Sequence, residues 1–210
     1  MQFIDNQVIE NGMSYATYRQ LITDLMAQNK TTGNDHSEAM LHYTDLNIQR
    51  MNRLDRKSRL TEQTIDFMKN YDRPITWLVL TEGWCGDAAQ VIPVLNHLAE
   101  LTENVQLKLI LRDEYLDIID VFLTNGGRSI PKLIILDRNT NEVLGSWGPR
   151  PTDAQQLMLD AKDTVKTIED KEERKAFFGK VKADLQRWYA RDKTIHTQEE
   201  IVAALTEVHG

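Results

Sequence analysis

The segment Ile75-Thr76-Trp77-Leu78-Val79-Leu80 constrains this chain more than any other. It is apolar without alternation and rich in β-branched and aromatic residues, the pattern of a central strand buried on both faces. It is far shorter than the ~20 residues a membrane-spanning helix needs. A strand covered on both sides requires a layer above and a layer below, and the flanking sequence supplies both. Glu82-Gly83-Trp84 reads as a turn, and a helical pattern follows from Cys85 to about Leu101, with Pro93 inside it. Gln106 to Leu111 reads as a second strand, Glu114 to Thr124 as a helix stopped by Asn125-Gly126-Gly127, and Pro131 to Leu136 as a third strand. Asn139-Thr140-Asn141 then turns the chain into a fourth strand, Glu142 to Trp147. Strands alternating with helices imply a parallel pair, and the tight last turn implies an antiparallel hairpin.

Both ends of the chain are helical in pattern. Ser14 can cap a helix with Tyr15, Tyr18, Leu21 and Leu25 on one face, stopping by Gly33. Asp35 and Glu38 resemble a capping box for a second helix carrying Leu41, Ile48, Met51 and Leu54. Thr61 can cap a third that buries Ile65 and Met68 and ends before Pro74. Beyond Pro151, Leu157, Ala161, Val165 and Ile168 recur at helical spacing, as do Phe178, Val181, Leu185 and Trp188. The charged stretch Glu169 to Lys175 reads as a break between two packed helices.

With 41% hydrophobic and 27% charged residues over 210 positions, the chain can bury a substantial core without staples. Its net charge of −7 disfavours general binding to nucleic-acid phosphates. The single cysteine, Cys85, excludes an internal disulfide and any metal site built from two thiolates of one chain. The first five residues show neither the basic patch nor the apolar stretch of a signal peptide, so the expected location is cytoplasmic and no membrane contact is expected. The five histidines fall in no metal-ligating pattern, and neither a metal nor a cofactor is expected.

Cys85 is the candidate site. It stands at a strand-to-helix junction, where free N–H groups and the partial positive charge of a helix start favour a thiolate. A buried structural cysteine is the plainer alternative, and spacing alone does not choose between them. The segment Trp84-Cys85-Gly86-Asp87-Ala88-Ala89-Gln90, with Pro93 eight residues after the cysteine, resembles the active-site helix of the thioredoxin superfamily. Arg128-Ser129-Ile130-Pro131-Lys132-Leu133 is similar to the thioredoxin segment that carries a cis-proline. The likeness is to bacterial thioredoxin-like proteins with one thiol in place of the usual pair. It implies an α/β thioredoxin-like fold, a central mixed sheet flanked by helices, with a helical extension over residues 1–60, the thioredoxin-like domain over 61–165 and a C-terminal helical extension over 166–210. It places Cys85 as the nucleophile and Pro131 at the cis-proline position. Trp84, Gly86, Asp87, Ile130, Pro131, Trp147 and Gly148 would line the substrate groove, with Ile130 offering its backbone to an extended chain.

Three departures from the pattern set the function in question. Ala88 holds the place of the resolving cysteine, Asp87 the place of the proline between the cysteines, and Val79 the place of the buried acid. A dithiol cycle within one chain is therefore impossible. The function expected is monothiol exchange or redox sensing through Cys85, resolved by an outside thiol; the alternative is a binding module that holds a peptide or partner in the groove beside Ile130–Pro131 without turnover. The expected partner is a protein or a low-molecular-weight thiol or disulfide, and an oligomer is compatible with the amphipathic ends. Arg50, Arg53 and Arg56, with Lys57 and Arg59 beyond, form a basic stripe whose plainest account is a solvated face paired with acidic neighbours.

Overall fold

The computed structural model describes residues 2–209. Its centre is a four-stranded mixed sheet of β1 (Ile75–Thr81), β2 (Val105–Leu111), β3 (Lys132–Asp137) and β4 (Val143–Trp147), in the spatial order β2-β1-β3-β4. β1 pairs parallel with β2 and antiparallel with β3, and β3 pairs antiparallel with β4. Every residue of β1 is buried, as its unbroken apolar run requires. Val79 sits between Leu109 and Leu133 in the register.

The crossover from β1 to β2 is α5 (Ala88–Ala99), one of the most deeply buried helices of the molecule. On the N-terminal side lie α1 (Asn6–Asn11), α2 (Tyr15–Ala27), α3 (Glu38–Lys57) and α4 (Glu62–Asn70). Ser14 and Thr61 cap α2 and α4 by accepting from Thr17 N and Thr64 N, which satisfies donors the helix starts leave free. The first residues also guard both sheet edges. Gln2 O accepts from Val143 N beside β4, and Met13 exchanges two 2.8 Å backbone bonds with Leu109 on β2. On the C-terminal side, α7 (Thr152–Val165), α8 (Lys171–Asp192) and α9 (Ile195–His209) complete the shell. Among the described residues no helix is long and apolar enough to cross a membrane.

Four local expectations are corrected. The second helix starts at Glu38 behind Ser37, which makes no side-chain cap, because Asp35 spends its carboxylate on Ser37 N in a turn. The helix expected over 114–124 is only α6 (Leu116–Ile119), preceded by a 3-10 turn over Arg112–Glu114. Asn125 and Gly126, both at positive φ, close a tight turn bridging Thr124 and Gly127 instead of stopping a helix. The charged stretch near 169–175 belongs mostly to the start of α8, the break falling over 166–170, and a second break at Lys193 and Thr194, both at positive φ, separates α8 from α9.

Candidate functional site

The turn after β1 is held from three directions. Gly83 donates its N–H to Thr32 Oγ1 at 2.8 Å and its carbonyl accepts from Asn47 Nδ2 of α3 at 2.9 Å. Glu82, fully buried, turns its carboxyl the other way, to accept from Asp113 N at 2.9 Å. Burial pushes that carboxyl up from its ordinary range. Cys85 follows with its N–H on Glu82 O at 3.1 Å and its side chain just ahead of α5.

The Cys85 residue is 8% exposed. Its Sγ donates to Ile130 O at 3.3 Å and receives Ala88 N–H at 3.5 Å. The Ile130–Pro131 peptide bond is cis. Burial first and the neighbouring Asp87 carboxylate second push the thiol up to about 12, against the lowering effect of the Ala88 and Asp87 N–H groups and of Arg150. The helix start is thus outweighed: desolvation of a buried sulfur exceeds what one turn of helix dipole returns.

Asp87 itself is 8% exposed and makes no cap with α5. Its carboxylate takes the Tyr189 hydroxyl from α8 at 2.8 Å and an ion pair from Arg150. Both partners lie far along the chain and carry no local sequence signal. The pair is nearly dry, so it holds α8 and the segment before α7 in register over the thiol; removing one partner would strand the other charge.

Above Cys85 opens a cavity of about 600 Å³. Its floor is Trp84, Cys85, Gly86 and Asp87, and its roof comes from Met40, Tyr43 and Arg50 of α3 and Lys182, Leu185 and Gln186 of α8, with Arg150 and Met158 at the side. Arg50 is half-buried and donates to Asn47 Oδ1 at 2.7 Å. Among the described residues no ion pair neutralises it. The expectation of a stripe paired with acidic neighbours fails along its length, since among the described residues none of Arg50, Arg53, Arg56, Lys57 and Arg59 takes part in an ion pair, and at Arg50 the face is covered by α8 and looks into the cavity. Lys182 lies 4.8 Å from the centre of the Tyr43 ring. Roof and floor approach closely at Gly86, where an added Cβ would stand 3.3 Å from Gln186 Nε2 and 3.5 Å from Arg50 Nη1.

The residues expected to line one groove separate into two groups. Trp84, Gly86 and Asp87 surround the cavity with Cys85. Ile130 is 5% exposed, its carbonyl engaged by the Cys85 thiol, and Pro131 is buried beneath. Gly148, at φ +108, packs so tightly that a Cβ would stand 2.5 Å from Pro131 O, and its carbonyl accepts from buried Lys132 Nζ at 3.0 Å. Trp147 turns to α9, where its Nε1 donates to Glu200 Oε2 at 2.8 Å. Arg112 covers one face of Trp84, its guanidinium 4.9 Å from the ring centre.

Residues 33–171 match the family model described as Thioredoxin, more than half of the chain, and the chain belongs to that family. A protein of unknown function from Pseudomonas aeruginosa superposes with a TM-score of 0.62 at 17% identity, over 98% of this chain and 98% of that one. An HIV epitope-scaffold superposes with a TM-score of 0.58 at 17% identity, over 95% of this chain and 96% of that one. At such identity the likeness is one of fold. No curated protein matches the chain.

Proposed function

We propose, with membership of the thioredoxin family as the premise, that this chain is a thioredoxin-fold binding protein that holds a compact anionic ligand over Cys85. The observation that carries this reading is the covering of the thiol: it forms the floor of a cavity of about 600 Å³, the residue is 8% exposed and its Sγ is engaged with Ile130 O, and burial pushes the thiol up to about 12. At neutral pH such a group is held as the thiol, which starves an exchange reaction of its thiolate. The cavity is of the size that small molecules fill. Arg50 and Lys182 offer cationic donors, while Met40, Trp84 and Met158 offer apolar wall. With α8 across the opening and Ile130 buried, a compact ligand fits this space better than a peptide laid along Ile130.

The test uses 8-anilinonaphthalene-1-sulfonate, an anion with an aromatic body, as a fluorescent probe of the folded chain. Wild type and Cys85→Ala are expected to bind it equally, and Arg50→Gln to bind it several-fold more weakly. Loss of binding on removal of the sulfur alone would count against the reading. Alkylation of Cys85 is expected to titrate well above the ordinary ~8.5 of a free cysteine.

A second reading is favoured by one observation: Ala88 N–H and Arg150 both act to stabilise a thiolate at Cys85. In it the Cys85 thiolate attacks a disulfide R–S–S–R, the mixed disulfide Cys85–S–S–R forms, and RS⁻ leaves. An outside thiol then restores Cys85. Equal exchange rates for wild type and Cys85→Ser would remove this reading.

A further inference from the structure

We propose a second ligand site, for a small organic phosphate, in the cavity between the end of α3 and the turn joining α8 to α9. The cavity holds about 300 Å³ and lies apart from Cys85. Four cationic side chains surround it, Arg53, Lys57 and Arg59 from one side and Lys193 from the other, and no acidic residue lines it. Among the described residues none of the four takes part in an ion pair. Of the carboxylates nearest in sequence, Asp55 pairs with Arg19 and Tyr15, and Asp192 pairs with His196 through Oδ1, its Oδ2 being buried without a partner among the described residues. Lys57 lies in the last turn of α3 and complements the carbonyl end of that helix. Lys193, the C-cap residue of α8, stands at that helix's carbonyl end in the same way, and Arg53 donates to Gln90 Oε1 at 3.4 Å, while Arg59 has neither account. Four unpaired cations around one hollow, in a chain of net charge −7, are a local reversal of the protein's field.

The walls are built rather than accidental. Gln198 of α9 is fully buried, and its amide joins three segments at once: it accepts from Thr61 N at 2.9 Å and donates to Arg59 O at 3.1 Å and to Thr194 Oγ1 at 2.8 Å. This fixes the loop after α3 against the turn before α9. On the opposite wall the Tyr189 hydroxyl is tied to Asp87. Leu54, Tyr189 and Ile195 make the interior apolar. Cations at the rim suit an oxyanion with several acceptors. An apolar interior suits an organic body attached to it. Together they select a phosphate ester over the bare ion.

The site stands independently of the function proposed for the Cys85 cavity. Its test is calorimetric titration of the full chain, at low salt, with phenyl phosphate and with inorganic phosphate, and amide-resolved NMR of the same titrations. Phenyl phosphate is expected to bind several-fold more tightly than inorganic phosphate, to weaken as salt rises, and to shift the amides of Lys57, Ser58, Lys193 and Ile195. The combined variant Arg53→Gln, Lys57→Gln, Arg59→Gln, Lys193→Gln is expected to lose at least roughly tenfold in affinity, the equivalent of one charge-assisted contact. All four side chains lie on exposed residues, so the variant should melt like wild type. Lys193→Gln alone should weaken binding about threefold, a fraction of one such contact. Undiminished affinity in the combined variant, equal affinity for the two probes, no binding at all, or shifts centred on Trp84 to Asp87 would each overturn the proposal.

Discussion

The floor and the roof of the Cys85 cavity are built in opposite ways. The floor is a strand-turn-helix unit, β1 to α5, in which neighbours in space are mostly neighbours in sequence and nearly every side chain is buried. The roof, α3 and α8, brings together residues more than a hundred positions apart, and of the 22 residues of α8 only Leu185 and Tyr189 are buried. The two roof helices meet the floor differently: α3 packs on α5 with Met51 and Leu54 buried and holds Gly83 O through Asn47, whereas α8 meets the floor at few points, the Tyr189 hydroxyl on Asp87, the close approach at Gly86 and the Gln90–Gln186 side-chain bond at 2.7 Å. The difference teaches that the floor sets what the sulfur is, and the roof sets what reaches it. A well-packed floor resists change globally, whereas α8, held on it by a few polar contacts, opens locally at lower cost.

The largest expected effect comes from cutting into the floor. Trp77 is fully buried in β1, so Trp77→Ala should destabilise the whole chain by about 3–5 kcal/mol, read as a lower urea midpoint by both fluorescence and circular dichroism. Non-coincident transitions would show that floor and roof unfold separately.

Next is the contact that joins them. Asp87→Ala strands Arg150, and because both side chains keep slight solvent exposure, 13% and 10%, the cost should fall near the low end for buried pairs, about 3 kcal/mol. The same change removes the second cause of the raised thiol, so Cys85 alkylation should titrate at a lower pH than in wild type. An unchanged midpoint would mean that desolvation alone holds the proton.

The thiol also makes stability depend on alkaline pH. Its folded-state value is raised from 9.0 to about 12, so the folded form keeps a proton that the unfolded form gives up. The contribution is whole below pH 9 and is lost as pH climbs through 9 toward 12. By pH 10 the loss should be on the order of 1 kcal/mol, and Cys85→Ala should lack that component, which urea titrations at pH 8 and pH 10 would measure.

The smallest effect on stability is expected at Gly86. A methyl there meets the ends of the long Gln186 and Arg50 side chains, which can shift by a few tenths of an ångström, and Asn47 Oδ1 at ordinary contact distance, so Gly86→Ala should cost about 0.5 kcal/mol while still altering affinity for the sulfonate probe. Loss of stability above that would mean the roof cannot yield.

The floor was legible in the sequence because its signals are local. An unbroken apolar run marked β1, a glycine turn and Cys85 marked the helix start, and Ser14 and Thr61 announced their helices by cap chemistry. Elements without such signals are not readable from local pattern. The pattern over 114–124 carried apolar residues at helical spacing, yet only Leu116–Ile119 is α-helical, Tyr115 and Asp120 already standing outside it. Arg150, Lys182 and Tyr189 carry no sequence signal as site residues, since no spacing rule links residue 87 to α8 or to the segment before α7. Arg50 is marked in the sequence by its charge, but its direction depends on which face of α3 is covered.

Residue order alone determined a mixed sheet with a lone sulfur at the mouth of its first crossover helix, since strand burial, turn chemistry and helix capping act within a few residues. Tertiary structure alone decided that this sulfur is a covered, protonated thiol beneath a cationic cavity. Desolvation and charge pairing depend on distances in space, and residues 50, 87, 150 and 189 acquire those distances only when the outer helices close over the sheet.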